Sequence, residues 1–251
     1  MKREHVTVIG IPFHNKDVES ACALVLEGCK EDVRENRCIS ATGAHGIVYS
    51  KKNPEFKSTL LGFYLNLPDG MPSVWVGRRK GAKEMQRCSG PLFFERFMSA
   101  SAKEDVSHFF CGGKEGIAEE LKKASADKFN NTKVVGTLCP PFESIDSFDY
   151  EGIAKEINAT NPDVVWIGLS TPKQELFARR LVEHTSVKYV VTVGAAFDYH
   201  TGKIKEAPKF IQKIGMEWFF RLCSEPRRLF KRYFEIVPKF MYYAVGDLWR
   251  K

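Results

Sequence analysis

Two short polar runs hold the residues best placed for chemistry. Ser170-Thr171-Pro172-Lys173-Gln174-Glu175 follows an apolar, β-branched run from Val164 to Leu169, and Gly194-Ala195-Ala196-Phe197-Asp198 follows a second one from Tyr189 to Val193. Between them, Gln174 to His184 has helical spacing, so the segment reads as strand, crossover helix and parallel strand. In an open α/β sheet, ligands bind just beyond the carboxyl ends of the strands, where turn backbone and helix N-termini face a crevice. Polar clusters at two consecutive strand ends therefore define a candidate site.

Further groups join it. Asp69 sits in Pro68-Asp69-Gly70, a turn that stops the alternating run Phe63 to Leu67, so its carboxylate is held at another strand end, where an Asp can simply close the turn. Gly112-Gly113-Lys114-Glu115-Gly116 lies between the strand Val106 to Cys111 and the helix Ile117 to Phe129. Glycines there let backbone N–H groups approach phosphate oxygens, and a plain tight turn fits the same pattern equally well.

The elements that must position these groups follow from periodicity. His5 to Ile9 reads as a strand, and Asp17 caps a helix running to about Arg34. Cys38 to Gly43 is a strand entering a glycine turn, Ala44 to Lys51 is helical, and Pro54 opens a short helix ending near Gly62. Met71 to Lys80 is basic and partly apolar. Pro91 to Ser101 is a helix whose Phe93, Phe94, Phe97 and Met98 form a core-facing stripe. Lys133 to Gly136 is a strand and Tyr150 to Asn158 a helix. Strand and helix alternate through roughly six strands, which predicts a Rossmann-like α/β domain over residues 1–202: a mostly parallel sheet with helices on both faces.

From residue 203 the pattern changes. Residues 1–202 hold 26 Lys+Arg and 26 Asp+Glu, while residues 203–251 hold 12 against 5, so the whole surplus of +7 lies in the tail. Met216 to Cys223 and Arg227 to Ile236 read as two short helices, with Val237-Pro238 breaking the second. Basic and aromatic residues interleave there, a mixture suited to an anionic surface: membrane headgroups or, less well, nucleic acid. This tail is expected to be a helical, membrane-associating appendage whose removal leaves a soluble core. The start of the chain has no long apolar segment and no stretch reaches about 18 apolar residues, so a cytoplasmic location is expected. Seven cysteines without a C-x-x-C pair point to reduced thiols rather than disulfides or zinc.

ATGAHGIVYSKKNPEF, LPDGMPSVW, RCSG, FFCGGKEGIAEEL, NPDVVWIGLSTPKQE, VGAAFDYHTGKIKEAP and GMEWFFRLCSEPRRLFKRY, in this order, resemble the WecG/TagA/CpsF glycosyltransferases of bacterial cell-surface polysaccharide assembly. The resemblance implies transfer of a sugar, with inversion, from a UDP-sugar to a polyprenyl-diphosphate-linked acceptor at the inner face of the membrane, with no cofactor and no metal. It makes Asp69 the general base and Arg87 the cation that stabilises the leaving diphosphate. It assigns donor binding to Gln174 and Asp198, whose amide and carboxylate suit sugar or nucleoside hydroxyls; Lys173, Phe197, Gly112 and Gly113 lie in the same matched segments. It assigns Arg221, Arg228 and Lys231, with Arg232 beside them, to the acceptor diphosphate and the membrane. Two departures touch the donor pocket. The family's T-x-N segment is Ala41-Thr42-Gly43 here, leaving Thr42 and His45 as its substitutes, and a G-Y-F turn is replaced by Cys139-Pro140-Pro141-Phe142.

Two other readings stay open at this level. A nicotinamide-dependent oxidoreductase would share the architecture, but G-x-G-x-x-G and a ribose-binding carboxylate about 20 residues on are missing. A non-catalytic nucleic-acid binder would use the basic, aromatic tail, whose helical apolar spacing suits a membrane surface better; no nucleic acid is therefore expected as a partner. The sugar, the linkage and the oligomeric state, a homo-oligomer included, are not fixed by sequence.

Overall fold

The computed structural model describes residues 4–205, 207–208, 210–211 and 216–249, apart from the side chain of Arg228. Six strands form one parallel sheet: β3 (Arg37–Thr42), β4 (Leu65–Pro68), β5 (His108–Gly112), β6 (Val134–Leu138), β7 (Val164–Gly168) and β8 (Tyr189–Thr192), in the order β4-β3-β8-β7-β5-β6. The expected Rossmann-like architecture is thus present. The first and last strands of the sheet, β3 and β8, lie side by side near its middle, so their carboxyl ends and those of β4 and β7 open together.

Alternation along each buried strand feeds two cores. Val164, Trp166, Ile39 and Phe110 pack on one face against α1 (Val18–Cys29), α5 (Gly90–Ser101) and α6 (Ile117–Phe129), where Phe93, Phe94 and Phe97 surround Trp166 as the apolar stripe requires. On the other face Val165, Ile167 and Val190 pack with Phe177 and Leu181 of α8 (Lys173–Leu181) and Ile157 of α7 (Tyr150–Ala159).

A third core departs from the sequence reading. Ile9 and Gly10 both have positive φ, 51° and 83°, which makes a two-residue hairpin turn between β1 (His5–Val8) and a strand not foreseen, β2 (Ile11–His14). Helix α1 stops at Cys29 rather than near Arg34, and Met71–Arg79, left unassigned by periodicity, is helix α4. The hairpin packs on α2 (Ala44–Lys52), α3 (Pro54–Gly62) and α4. In the tail, after the short helix α9 (Ala196–His200), come α10 (Glu217–Ser224) and α11 (Pro226–Trp249). Helix α11 runs straight through Pro238, which was expected to end it. Its Ile236, Phe240 and Ala244 are buried against Val8, Ile9, Phe13, Ile47 and Val74, and Ile9 N–H donates to Asp247 Oδ2 at 2.7 Å. That packing outweighs the backbone hydrogen bond that a proline removes.

Candidate functional site

Close contacts tie together the residues that follow four strands at the carboxyl edge of the sheet, which is the candidate crevice. Asp69 follows β4; its N–H donates to the Thr42 carbonyl at 3.3 Å, and its Oδ1 accepts from Gly90 N–H, the start of α5, at 3.3 Å. A Cβ on Gly90 would collide with the Val193 carbonyl oxygen, so only glycine lets α5 begin there. Gly43, after β3, lies on the other side of the carboxylate, where an added Cβ would stand 3.4 Å from Asp69 Oδ2. The half-buried Asp69 thus faces the turn that follows β3 and is tied through Gly90 to Val193 at the end of β8.

Arg87 fixes this turn from behind and joins it to the tail. Its Nε donates to the Asp69 carbonyl at 2.8 Å, while Nη1 pairs with Glu217 Oε2 of α10 at 2.5 Å. Arg221, one turn further along α10, places its guanidinium 5.6 Å from the centre of the Tyr199 ring on α9. Burial opposes the charge of Arg221, but Tyr199, Tyr233 and Asp69 more than compensate and hold it protonated. Tyr199 is pushed up to about 12 by burial and by the carboxylates of Glu217 and Asp69, with Arg221 and Arg87 acting against them. Its hydroxyl and Arg221 Nε have no hydrogen-bond partner among the described residues. Two carboxylates, two guanidinium groups and one phenol therefore share one half-enclosed space. Sequence reasoning had selected Asp69, Arg87 and Arg221, and it missed Tyr199 and Glu217, although both lie inside the quoted runs VGAAFDYHTG and GMEWFFRL.

On the other flank a buried hydrogen-bond network ties strand ends together. Gln174 and Glu175, in the first turn of α8, are 1% and 0% exposed. Gly194 N–H, after β8, donates to Gln174 Oε1 at 2.9 Å, so the Gln174 amide nitrogen faces inward and donates to Glu175 Oε1 at 2.9 Å and Thr171 Oγ1 at 3.2 Å. Glu175 Oε1 also accepts from Thr171 Oγ1 at 2.8 Å and Ser40 Oγ at 3.2 Å. Ser40 has spent its hydrogen, so the Thr42 hydroxyl, 2.7 Å away, donates to it. Thr42 and Gln174 accordingly wall the crevice from within rather than presenting free groups to it.

The remaining expected residues divide. Asp198 is half-buried on α9, its carboxylate without a hydrogen bond or ion pair among the described residues, while its carbonyl accepts from Lys203 N–H and Ile204 N–H. Gly112 and Gly113, with φ of 119° and 81°, cross the end of β7 so closely that Gly113 N–H donates to the Gly168 carbonyl at 2.9 Å; the approach seen is to the neighbouring strand. Phe197, 1% exposed, is a core ring seated on Gly168 and against Phe110, because the missing side chain of Gly168 makes its bed. Lys173 turns away to the Glu143 carbonyl, its ammonium 4.3 Å from the Phe142 ring centre and 4.8 Å from that of Phe148. In the tail, Arg232 donates to His45 Nδ1, and His45 is held down to about 4 by burial and then by Arg232. Lys231 is exposed, and Arg228 lies outside the described side chains.

All seven cysteines are free, as expected. No described helix is long and apolar enough to cross a membrane. The model of the glycosyl transferase WecG/TagA/CpsF family matches residues 6–251, nearly the whole chain. A match of that extent brings the sheet, the polar crevice and the C-terminal helices under one description, and the chain belongs to this family of glycosyltransferases of cell-surface polysaccharide biosynthesis, which act on a nucleotide-sugar donor and a lipid-linked acceptor.

Proposed function

We propose that the protein is an inverting transferase that moves a sugar from a UDP-sugar to a polyprenyl-diphosphate-linked saccharide at the cytoplasmic face of the bacterial membrane, without a metal ion. The observation that carries this reading is the convergence of Asp69, Arg87 and Arg221 at the carboxyl end of the sheet. Asp69 takes the proton of the acceptor hydroxyl as its oxygen attacks the anomeric carbon. The bond from that carbon to UDP breaks on the opposite side, and its electron pair leaves with the β-phosphate. Arg87 and Arg221 are fixed cations suited to that growing charge. Asp198, with its free carboxylate, suits a hydroxyl of the donor.

Helix α11 supports the membrane part of the proposal. Its inward residues Leu229, Ile236, Phe240 and Ala244 are buried, while Phe230, Phe234, Val237, Met241, Val245 and Leu248 recur at helical spacing on the exposed side. Phe234 is 76% exposed, and the exposed Arg227 and Lys231 lie along one edge of the stripe. An apolar face with a basic edge suits the interface of an anionic bilayer. The direct test incubates the purified protein, with a chelator present, with a panel of UDP-sugars and a short lipid-diphosphate-sugar acceptor, and reads the product by mass and its anomeric configuration by NMR. Transfer with inversion is expected; retention of configuration, or NAD bound in preference to UDP, overturns the reading.

A further inference from the structure

Glu175 has no role in the chemistry above, yet it is the most constrained acidic group near the crevice. It is fully buried, and no Lys, Arg or His pairs with it among the described residues. One carboxyl oxygen, Oε1, takes hydrogen bonds from three side chains: Thr171 of the turn after β7, Gln174 of α8 and Ser40 of β3. The other, Oε2, has no partner among the described residues. Burial pushes the carboxyl up, and the three donors pull against that. An acid half satisfied in a dry interior contributes little to stability, and an apolar side chain of similar volume serves a core better. Its geometry has another use. Through Ser40 it orders Thr42, whose carbonyl receives Asp69 N–H; through Gln174 it orders Gly194, which opens the turn after β8. The turn after β3 holds Gly43 beside Asp69 Oδ2, and the one after β8 packs at Val193 on Gly90, whose N–H donates to Asp69 Oδ1.

We propose that Glu175 is a positioning residue that never meets substrate: its single bonded oxygen locks the turns after β3, β7 and β8 into one arrangement, and this arrangement forms the donor side of the crevice. The inference rests on the nucleotide-sugar reading above for what the crevice holds, but not for the locking itself. The direction of each hydrogen bond supports it, since Gly194 N–H can only donate and every further hydrogen is then assigned in turn back to Glu175.

The experiment compares the full-length protein with Glu175→Ala and Glu175→Gln. It measures UDP affinity by calorimetry, KM and kcat for the donor, and hydrogen exchange at the Gly194 amide. In the alanine variant, UDP affinity falls and donor KM rises on the order of ten-fold, as for other residues that orient a binding group from behind, while the pH profile of kcat stays in place because Asp69 is intact. The glutamine variant keeps an acceptor oxygen for the same donors and restores most of the affinity. Wild-type affinity in the alanine variant, or equal loss in both variants, overturns the proposal. Should the wild-type protein bind no UDP at all, the proposed function fails instead, and the amide decides on Glu175: protection lost in alanine and kept in glutamine sustains the positioning role, and unchanged protection ends it.

Discussion

Arg87 and Glu217 meet at 2.5 Å, Nη1 to Oε2, and the same guanidinium donates from Nε to the backbone carbonyl of Asp69. One cation thus spans the turn that carries the proposed base and the helix that begins the C-terminal pair. A diphosphate arriving at Arg87 has to share or displace the Glu217 carboxylate. Both side chains are only about a fifth exposed, 22% and 17%, so their pairing is screened less than a surface ion pair. Glu217→Gln is expected to tighten UDP binding, by roughly 1 kcal/mol or about five-fold in Kd. Calorimetric titration checks this, and weaker binding in the variant would place Glu217 among the groups that support the ligand rather than compete with it.

Asp69→Asn keeps the turn, because Asn retains an oxygen able to accept from Gly90 N–H, but it cannot take a proton. Transfer is expected to fall about 10²- to 10⁴-fold, the usual range for a lost general base. UDP affinity is expected to change little, since the proposed contacts to the diphosphate are Arg87 and Arg221 rather than Asp69. Initial rates and a UDP titration on the same preparation make the comparison, and full transfer activity in the variant removes Asp69 from the chemistry.

The order in which these features became legible has physical causes. β7, β8 and the end of β3 were readable because buried parallel strands are continuous apolar runs, here Val164 to Ile167 and Tyr189 to Val191. The hairpin was not, because its two-residue turn puts Ile9 at positive φ where Asn, Asp or Gly is the usual signal. Pro238 misled for the opposite reason: a local rule for helix ends was overruled by tertiary packing of Ile236 and Phe240. At the site, turn and strand patterns place Asp69 and Asp198 just beyond the ends of β4 and β8, where the structure has them. They could not reveal that Gln174 spends its amide on Gly194 and Glu175, or that Lys173 leaves for the Phe142 loop. Pairings such as Arg87 with Glu217 join segments far apart in the chain, and no periodicity encodes them.

Helix α11 has two apolar faces, and their substitution should have different results. Phe240 is buried in the third core, so Phe240→Ala is expected to destabilise the whole fold by about 3–5 kcal/mol. A chain cut after Gly202 loses Ile236, Phe240 and Ala244 from that core together and should expose Val8, Ile9, Phe13 and Ile47. The soluble truncated core anticipated from sequence then becomes an aggregation-prone one. Phe230→Ser with Phe234→Ser alters only the exposed face, leaving the melting temperature nearly unchanged and reducing retention on anionic lipid vesicles. Thermal melts and vesicle sedimentation of the two sets separate the faces; equal loss of stability in both contradicts the assignment.

His45 and Arg232 make the contact between α2 and α11 sensitive to acid. His45 Nδ1 accepts from the Arg232 guanidinium, which requires an unprotonated ring nitrogen. Burial first, then the Arg232 charge, holds its pKa down to about 4 from the ordinary 6.5, with Glu235 opposing weakly. Because the folded value lies below the unfolded one, the contribution of this contact is complete above pH 6.5 and is lost as the pH falls through about 4. Protonation sets two cations against each other and removes the acceptor at once. Residues 229–240 of α11 should therefore lose hydrogen-exchange protection between pH 6.5 and 4. In His45→Gln, which keeps an acceptor and does not titrate, this loss should be much reduced. His108, held down to about 3 by burial within its contacts to Ser101, Asn131 and Trp166, titrates in a lower window and a different core, so a site-resolved readout distinguishes the two. An unchanged pH profile along α11 in His45→Gln would falsify the assignment of this acid sensitivity to His45.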